Sequence, residues 1–276
     1  NQGIGLLHKN MKESMLSTGG FLVGVSSSKV SDVVYGEKGF DNDFSVSQTI
    51  HKKDSASQPH YDNQYQSVFD DAGLGSLSTG LSVTQNILDW SPAKDDGYII
   101  LEYIVRNDTS SEIKNIYTGY FIDWDIHHSH KDRCEWDKNK NMSYVYDTDG
   151  YGIGGMKLLN ATKPVHHYAF DNNGDSNSVE INDGFADYEK WQVMQNNRKK
   201  AGFSTSHGND VSHLLSSGPY NLAPGDSIVI SYAIMAGNNK ADIEQAADRA
   251  VYQYFNITNK NDIQKNNRGL SVFPNP

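Results

Sequence analysis

The 276-residue chain contains one cysteine, seven prolines and no long hydrophobic run. With Cys134 alone, no intrachain disulfide can form. No apolar stretch approaches the ~20 residues that a helix needs to cross a bilayer, so no membrane span is expected. Basic residues are also scarce: 24 Lys and Arg stand against 34 Asp and Glu, a formal net charge of −10. Phosphate recognition needs clustered Lys and Arg, so a nucleic-acid or anionic-membrane partner is not expected. The one dense basic run, Arg198-Lys199-Lys200, reads as a solvated loop. An initiator Met and a signal peptide are both missing, which suggests a mature or excised fragment. A nucleophilic role for Cys134 is disfavoured by its setting, Asp132-Arg133-Cys134-Glu135, because neighbouring carboxylates raise a thiol pKa.

Aromatic residues are well supplied, with 16 Tyr, 10 Phe and 4 Trp. They compensate for a hydrophobic content of 37 % and suit strands. Short alternating or β-branched runs are separated by Gly, Asn, Asp and Ser clusters, the signature of an all-β chain. Such runs occupy 21–25, 80–87, 98–107, 116–126, 144–146, 151–156, 166–170 and 227–236. The polar stretch Asn107 to Ser111 predicts an antiparallel hairpin between 98–107 and 116–126. Ala223-Pro224-Gly225-Asp226 predicts a type II turn, with Pro presetting φ and Gly taking the positive-φ position. Residues 227–236 carry little polar on either face, as a central strand covered on both sides does. One helix is expected over Ala241 to Phe255, capped by Asn238 or Asn239 and lying on the sandwich edge; its apolar stripe is Ile243, Ala246, Ala247, Ala250, Val251 and Tyr254. The expectation is a large antiparallel β-sandwich over 1–255 with one short helix near the C-terminus, then a polar linker over 256–269.

The closing heptapeptide Leu270-Ser271-Val272-Phe273-Pro274-Asn275-Pro276 resembles the start of a type A C-terminal sorting domain of type IX secretion cargo. The body, through Gly97 to Asn107, Ile116 to Ile126 with Asp123-Trp124-Asp125, Lys190-Trp191, Gly218 to Asp226 and Ala236-Gly237, resembles a β-rich module found downstream of secreted bacterial subtilisin-like (S8) peptidase domains. These resemblances imply a secreted or cell-surface protein that engages the type IX machinery through residues 270–276. They also imply a catalytic domain in the same polypeptide. The peptidase triad segments themselves are missing from this sequence, so the expected role is that of a non-catalytic accessory domain. A carbohydrate- or surface-binding module is the alternative, with a glycan on Trp90, Trp136 or Trp191; a hydrolase using paired carboxylates comes third.

The sequence also carries acids in patterns that suit calcium. Asp123 and Asp125, two apart on a strand, share a face and repel unless neutralised. The following loop offers Asp132, Glu135 and Asp137, and Asp147-Thr148-Asp149-Gly150 begins like a calcium loop without completing one. Calcium takes 6–8 oxygen ligands, so the candidate metal residues are Asp123, Asp125, Asp132, Asp137, Asp147 and Asp149. A bridge from Lys131 or Arg133 to Asp123 or Asp125 is the competing arrangement. His127-His128-Ser129-His130, with His166-His167 approaching from another strand, is a weaker zinc candidate lacking any fixed ligand spacing. The acids and amides of Asp171 to Asp175 and Asn182 to Gly184 read as turns.

Overall fold

The computed structural model describes residues 6, 14–53, 61–175 and 178–266, with side chains as far as Asn256. The expected sorting motif, residues 270–276, lies outside them. In chain order the strands are β1 (Leu16–Ser26), β2 (Lys29–Ser31), β3 (Tyr35–Gly36), β4 (Gly39–Phe40), β5 (Ser45–Lys52), β6 (Asn63–Asp70), β7 (Leu81–Asp89) and β8 (Tyr98–Asn107). There follow β9 (Ile113–Trp124), β10 (Asp132–Asp137), β11 (Met142–Asp147), β12 (Ile153–Leu158), β13 (Val165–Asp171), helix α1 (Asp187–Val193), β14 (Lys200–Ala201), β15 (Val211–Leu222), β16 (Ser227–Gly237) and helix α2 (Lys240–Asn266).

A five-stranded sheet, β13-β15-β9-β1-β2, packs on a nine-stranded sheet, β14-β10-β11-β12-β16-β8-β7-β6-β5. Every paired strand in these sheets is antiparallel, as expected for an all-β sandwich. Alternation sorts the side chains. Ile116, Ile122 and Trp124 of β9 meet Leu101, Tyr103 and Val105 of β8 between the sheets, with Phe21 stacked on Tyr103 at 4.2 Å.

The other faces are covered too. The outer face of the large sheet, with Tyr98, Ile100, Ala233 and Met235, receives Ile243, Ala246, Ala247, Ala250 and Tyr254 of α2. The helix therefore lies across the sheet face over β8, β12 and β16, away from the edge where it was expected. An apolar outer face on three neighbouring strands draws it there. It runs on to Asn266, so most of the expected linker over 256–269 is helical. The outer face of the small sheet, with Leu22, Phe121, Phe170 and Leu214, is covered by Ile181, Phe185, Val193 and Met194. Helix α1, which contributes Val193, was not foreseen, because seven residues are too few to show helical periodicity. Glu189 accepts from the Ala186 amide at 2.9 Å and closes its first turn.

The expected hairpin is overturned. β8 and β9 lie in opposite sheets, and residues 108–112 arch between them. A short polar turn serves either geometry, and the apolar faces of the two strands pack face to face rather than side by side. The Ala223–Asp226 turn forms as expected, with Asp226 N to Ala223 O at 3.0 Å and Gly225 at φ 81°, but it too arches from β15 to β16. Buried Asn107 ties the two arches together: its side-chain amide donates to Ser111 O at 2.8 Å and Leu222 O at 2.9 Å. Gly154 of β12 faces Trp124 so closely that a Cβ there would stand 2.3 Å from the indole.

Candidate metal centre and buried polar network

One end of the sandwich gathers acidic residues. Asp132 opens β10 and is the register partner of Asp147, which closes β11. Facing residues of an antiparallel pair have Cβ atoms ~4.5–5.5 Å apart, so the two carboxylates are neighbours. Both side chains are buried, at 0 % and 3 % exposure. Each is held by one amide: Ile126 N donates to Asp132 Oδ2 at 3.0 Å, and Asp149 N donates to Asp147 Oδ1 at 2.7 Å. The remaining oxygens, Asp132 Oδ1 and Asp147 Oδ2, are buried without a hydrogen-bond partner. Burial pushes the Asp132 carboxyl up to about 9, and Asp147, Asp125 and Asp210 add to the rise. Burial likewise raises Asp210, to about 6, with Asp123 and Asp125 contributing.

The other expected ligands are placed differently. Asp123 turns to the outer side of the small sheet, where Tyr35 (2.7 Å), Ser212 (2.7 Å) and Asn172 (3.0 Å) donate to its carboxylate. Asp125 falls just beyond β9, half-buried and raised by burial and then by Asp123. Among the described residues no lysine or arginine bridges this pair: Lys131 engages Asp149, and Arg133 donates to the carbonyls of Gly202, Thr205 and Ser206. Asp137, at the opposite end of β10, pairs with Lys240 at 2.8 Å. Asp149 is likewise occupied, by Lys131.

His127, His128 and His130 are exposed, with His127 stacked on Tyr151. His167 points between the sheets and does not join them. Arg198 is no solvated loop residue: it pairs with Asp171 at 2.7 Å and Asp175 at 2.6 Å. Asp171 also accepts from Gly202 N and Asn209 Nδ2. Trp90 is buried, while Trp136 and Trp191 pack at the margins of two cores.

A second cluster, which no sequence spacing announced, lies two to four residues further along β10 and β11. Cys134, Ser143, His167 and His213 meet between the sheets, all at most 2 % exposed. Cys134 Sγ and one nitrogen of each imidazole come within 4.8 Å of one another. The Ser143 hydroxyl sits among them. Indole N–H can only donate, so Trp124 Nε1 at 2.9 Å makes His213 Nε2 the acceptor. His213 Nδ1–H then donates to Ser143 Oγ, and Ser143 O–H donates to His167 Nε2 at 2.8 Å. His167 therefore carries its proton on Nδ1, which has no partner. Burial pulls His167 down to about 3 and His213 well below its ordinary range, and pushes the Cys134 thiol up to about 12. The network is neutral, with Ser143 at its centre and the His167 Nδ1–H as its one unpaired end among the described residues.

A third group, Asp32, Asp41 and Asp43, is close enough to share an ion. Fully buried Lys190 of α1 already supplies the positive charge, bonded to Asp32 at 2.8 Å and to Asp41 at 2.5 Å. Besides these clusters, an apolar groove of about 490 Å³ opens between β1 and β5–β8, lined by Phe21, Phe44, Phe69, Tyr103 and Tyr120 with Gln85 and Ser67.

No family profile and no curated protein matches the chain. Its fold is similar to part of a bacterial glucoamylase crystallised with acarbose, with a TM-score of 0.58 at 14 % identity over 88 % of this chain and 30 % of that one. The chain thus spans under a third of that enzyme. A protein from Synechocystis sp. PCC 6803 aligns with a TM-score of 0.39 at 6 % identity, over 71 % of this chain and 66 % of its own. Among the described residues, no helix is long and apolar enough to cross a membrane.

Proposed function

We propose that this chain is a non-catalytic accessory domain of an exported protein, attached to a peptidase-type catalytic domain in the same polypeptide. One observation carries the reading: the fold recurs as 30 % of a larger enzyme, the glucoamylase. The state of the reactive side chains supports it. The thiol, the serine and both imidazoles of the central network are sealed between the sheets, and Asp123 is saturated by three donors. General acid–base or nucleophilic work needs such groups within reach of a bound substrate. Incubation of the chain with casein and a panel of fluorogenic peptides tests the proposal. No turnover is expected; turnover abolished by a serine-protease inhibitor would refute it.

The groove beside β1 favours a second reading, a glycan- or surface-binding module, because aromatic rings beside polar amides and hydroxyls suit sugar faces and edges. Affinity electrophoresis in soluble polysaccharides decides it: retardation lost in Phe44→Ala supports this reading, and unretarded migration in all of them rejects it.

A further inference from the structure

We propose that Asp132 and Asp147 bind a divalent cation, calcium by its chemistry, at the end of the sandwich where β10 and β11 begin and close. Asp132 Oδ1 and Asp147 Oδ2 are buried, lie on neighbouring strands in direct register, and accept no hydrogen bond. A buried carboxylate oxygen without a donor is costly, and two side by side are costlier. The nearby basic side chains do not relieve them. Lys131 is engaged by Asp149, and Arg133 by three backbone carbonyls. Asp125 and Asp210 add negative charge around the pair. Among the described residues, what the site lacks is a positive charge that makes several oxygen contacts at once.

The chemistry of the donors selects the ion. Carboxylate oxygens with carbonyls and water are hard ligands that suit calcium, whereas imidazole and thiolate would favour zinc. Each aspartate already spends its other oxygen on a backbone amide, which fixes both carboxylates before any ion arrives. Asp147 also borders a groove of about 320 Å³ with Glu135, Gly150 and Gly152. Two protein carboxylates, with water and backbone completing the shell, resemble a weak extracellular site, with a dissociation constant on the order of 0.1–1 mM. Of the six acids that the sequence offers, Asp123, Asp137 and Asp149 are taken by other partners, and Asp125 contributes charge.

The competitor is a proton shared between Asp132 and Asp147. Calcium titrations of the whole chain, followed by isothermal calorimetry and by melting at fixed ionic strength, separate the two. Expected are a saturable calorimetric signal and a melting temperature raised by roughly 5 °C at about 100 times Kd. Magnesium should do less, since it holds its waters and demands a strict octahedron. Asp132→Asn and Asp147→Asn should each weaken calcium binding at least tenfold, while Asp137→Asn should leave it unchanged. An asparagine imitates the protonated acid, so both variants should still fold in EGTA. If either does not, the other and the wild-type titration carry the test. A flat titration of the wild type overturns the site in favour of the shared proton. Calcium binding that survives Asp132→Asn or Asp147→Asn overturns it in favour of a site elsewhere.

Discussion

Ser143 is the hinge of the hydrogen-bond chain that runs from Trp124 through His213 to His167, and Ser143→Ala removes it with little change of volume. The substitution deletes two hydrogen bonds. It leaves His213 Nδ1–H and His167 Nε2 unsatisfied in a region where the surrounding side chains are at most 2 % exposed. An unpaired buried polar group costs roughly 1–3 kcal/mol, so the two together should cost about 2–6 kcal/mol. A domain's whole stability is typically about 5–15 kcal/mol, so the effect is a large fraction of it. Water cannot repair the loss, because a lost hydroxyl leaves less space than the ~30 Å³ that a water occupies in the liquid. Cys134 Sγ, 3.8 Å from His167 Nε2, is a weak substitute. Urea unfolding followed by tryptophan fluorescence measures the difference, and exposed Ser28→Ala serves as a control expected within about 0.5 kcal/mol. A loss below about 1 kcal/mol for Ser143→Ala would refute the hydrogen-bond chain as drawn.

The same histidines set an acid limit. Both are held neutral below the ordinary histidine pKa of 6.5, His167 down to about 3. Their stabilisation is therefore complete above pH ~6.5 and is lost as pH falls towards ~3, by at most ~1.4 kcal/mol per unit for each ring. Asp132 and Asp210, held above their ordinary range, act in the opposite sense. The histidine contribution should accordingly be read as the difference in stability between wild type and His167→Phe, and this difference should shrink as pH falls from 6.5 to 5; a constant difference would contradict the assigned burial. Lys190→Met should cost about 3–5 kcal/mol, because it leaves buried Asp32 and its neighbour Asp41 without their cationic partner. Asp32→Asn added to that variant should recover part of the loss in chemical denaturation, and a double variant no more stable than the single one would show that the charge of Asp32 is not what Lys190 answers.

Many strand runs were legible because alternation and β-branching are local properties, but β5, β6, β10 and β15 were not, and the polar stretch Asp132 to Asp137, which looks like a loop, is strand β10. The central position of β16 followed from the scarcity of polar residues on both its faces, and α2 followed from its apolar stripe. Which strands pair across a turn was not legible. Residues 108–112 and 223–226 look like hairpin loops, and only the packing of two apolar faces makes them arches. The candidate site shows the same division. Asp132 and Asp147 were visible as acids, but their pairing depends on the β10–β11 register. Ser143, His167 and His213 come from three separate strands with no motif to connect them. A hint existed in the way these polar residues fall at inward positions of otherwise apolar strands, Ser143 beside Val145 and His213 between Val211 and Leu215.

Nine strands facing five leaves a shelf of four, roughly 19 Å wide at ~4.8 Å per strand. At the β5 end this shelf is thinly roofed: Phe44 reaches Phe69 at 4.8 Å, and nearly all of β5 is exposed. Cooperativity should therefore grade across the large sheet. β8 and β16 are clamped by helix on one side and sandwich on the other, and their amides can exchange only when the whole domain opens. Among the described residues β5 is held by a single neighbouring strand, β6, and can peel away without disturbing the core. Amide protection should descend stepwise from β8 through β7 and β6 to β5, so that a domain rigid at its centre carries a margin whose backbone opens on a far shorter timescale.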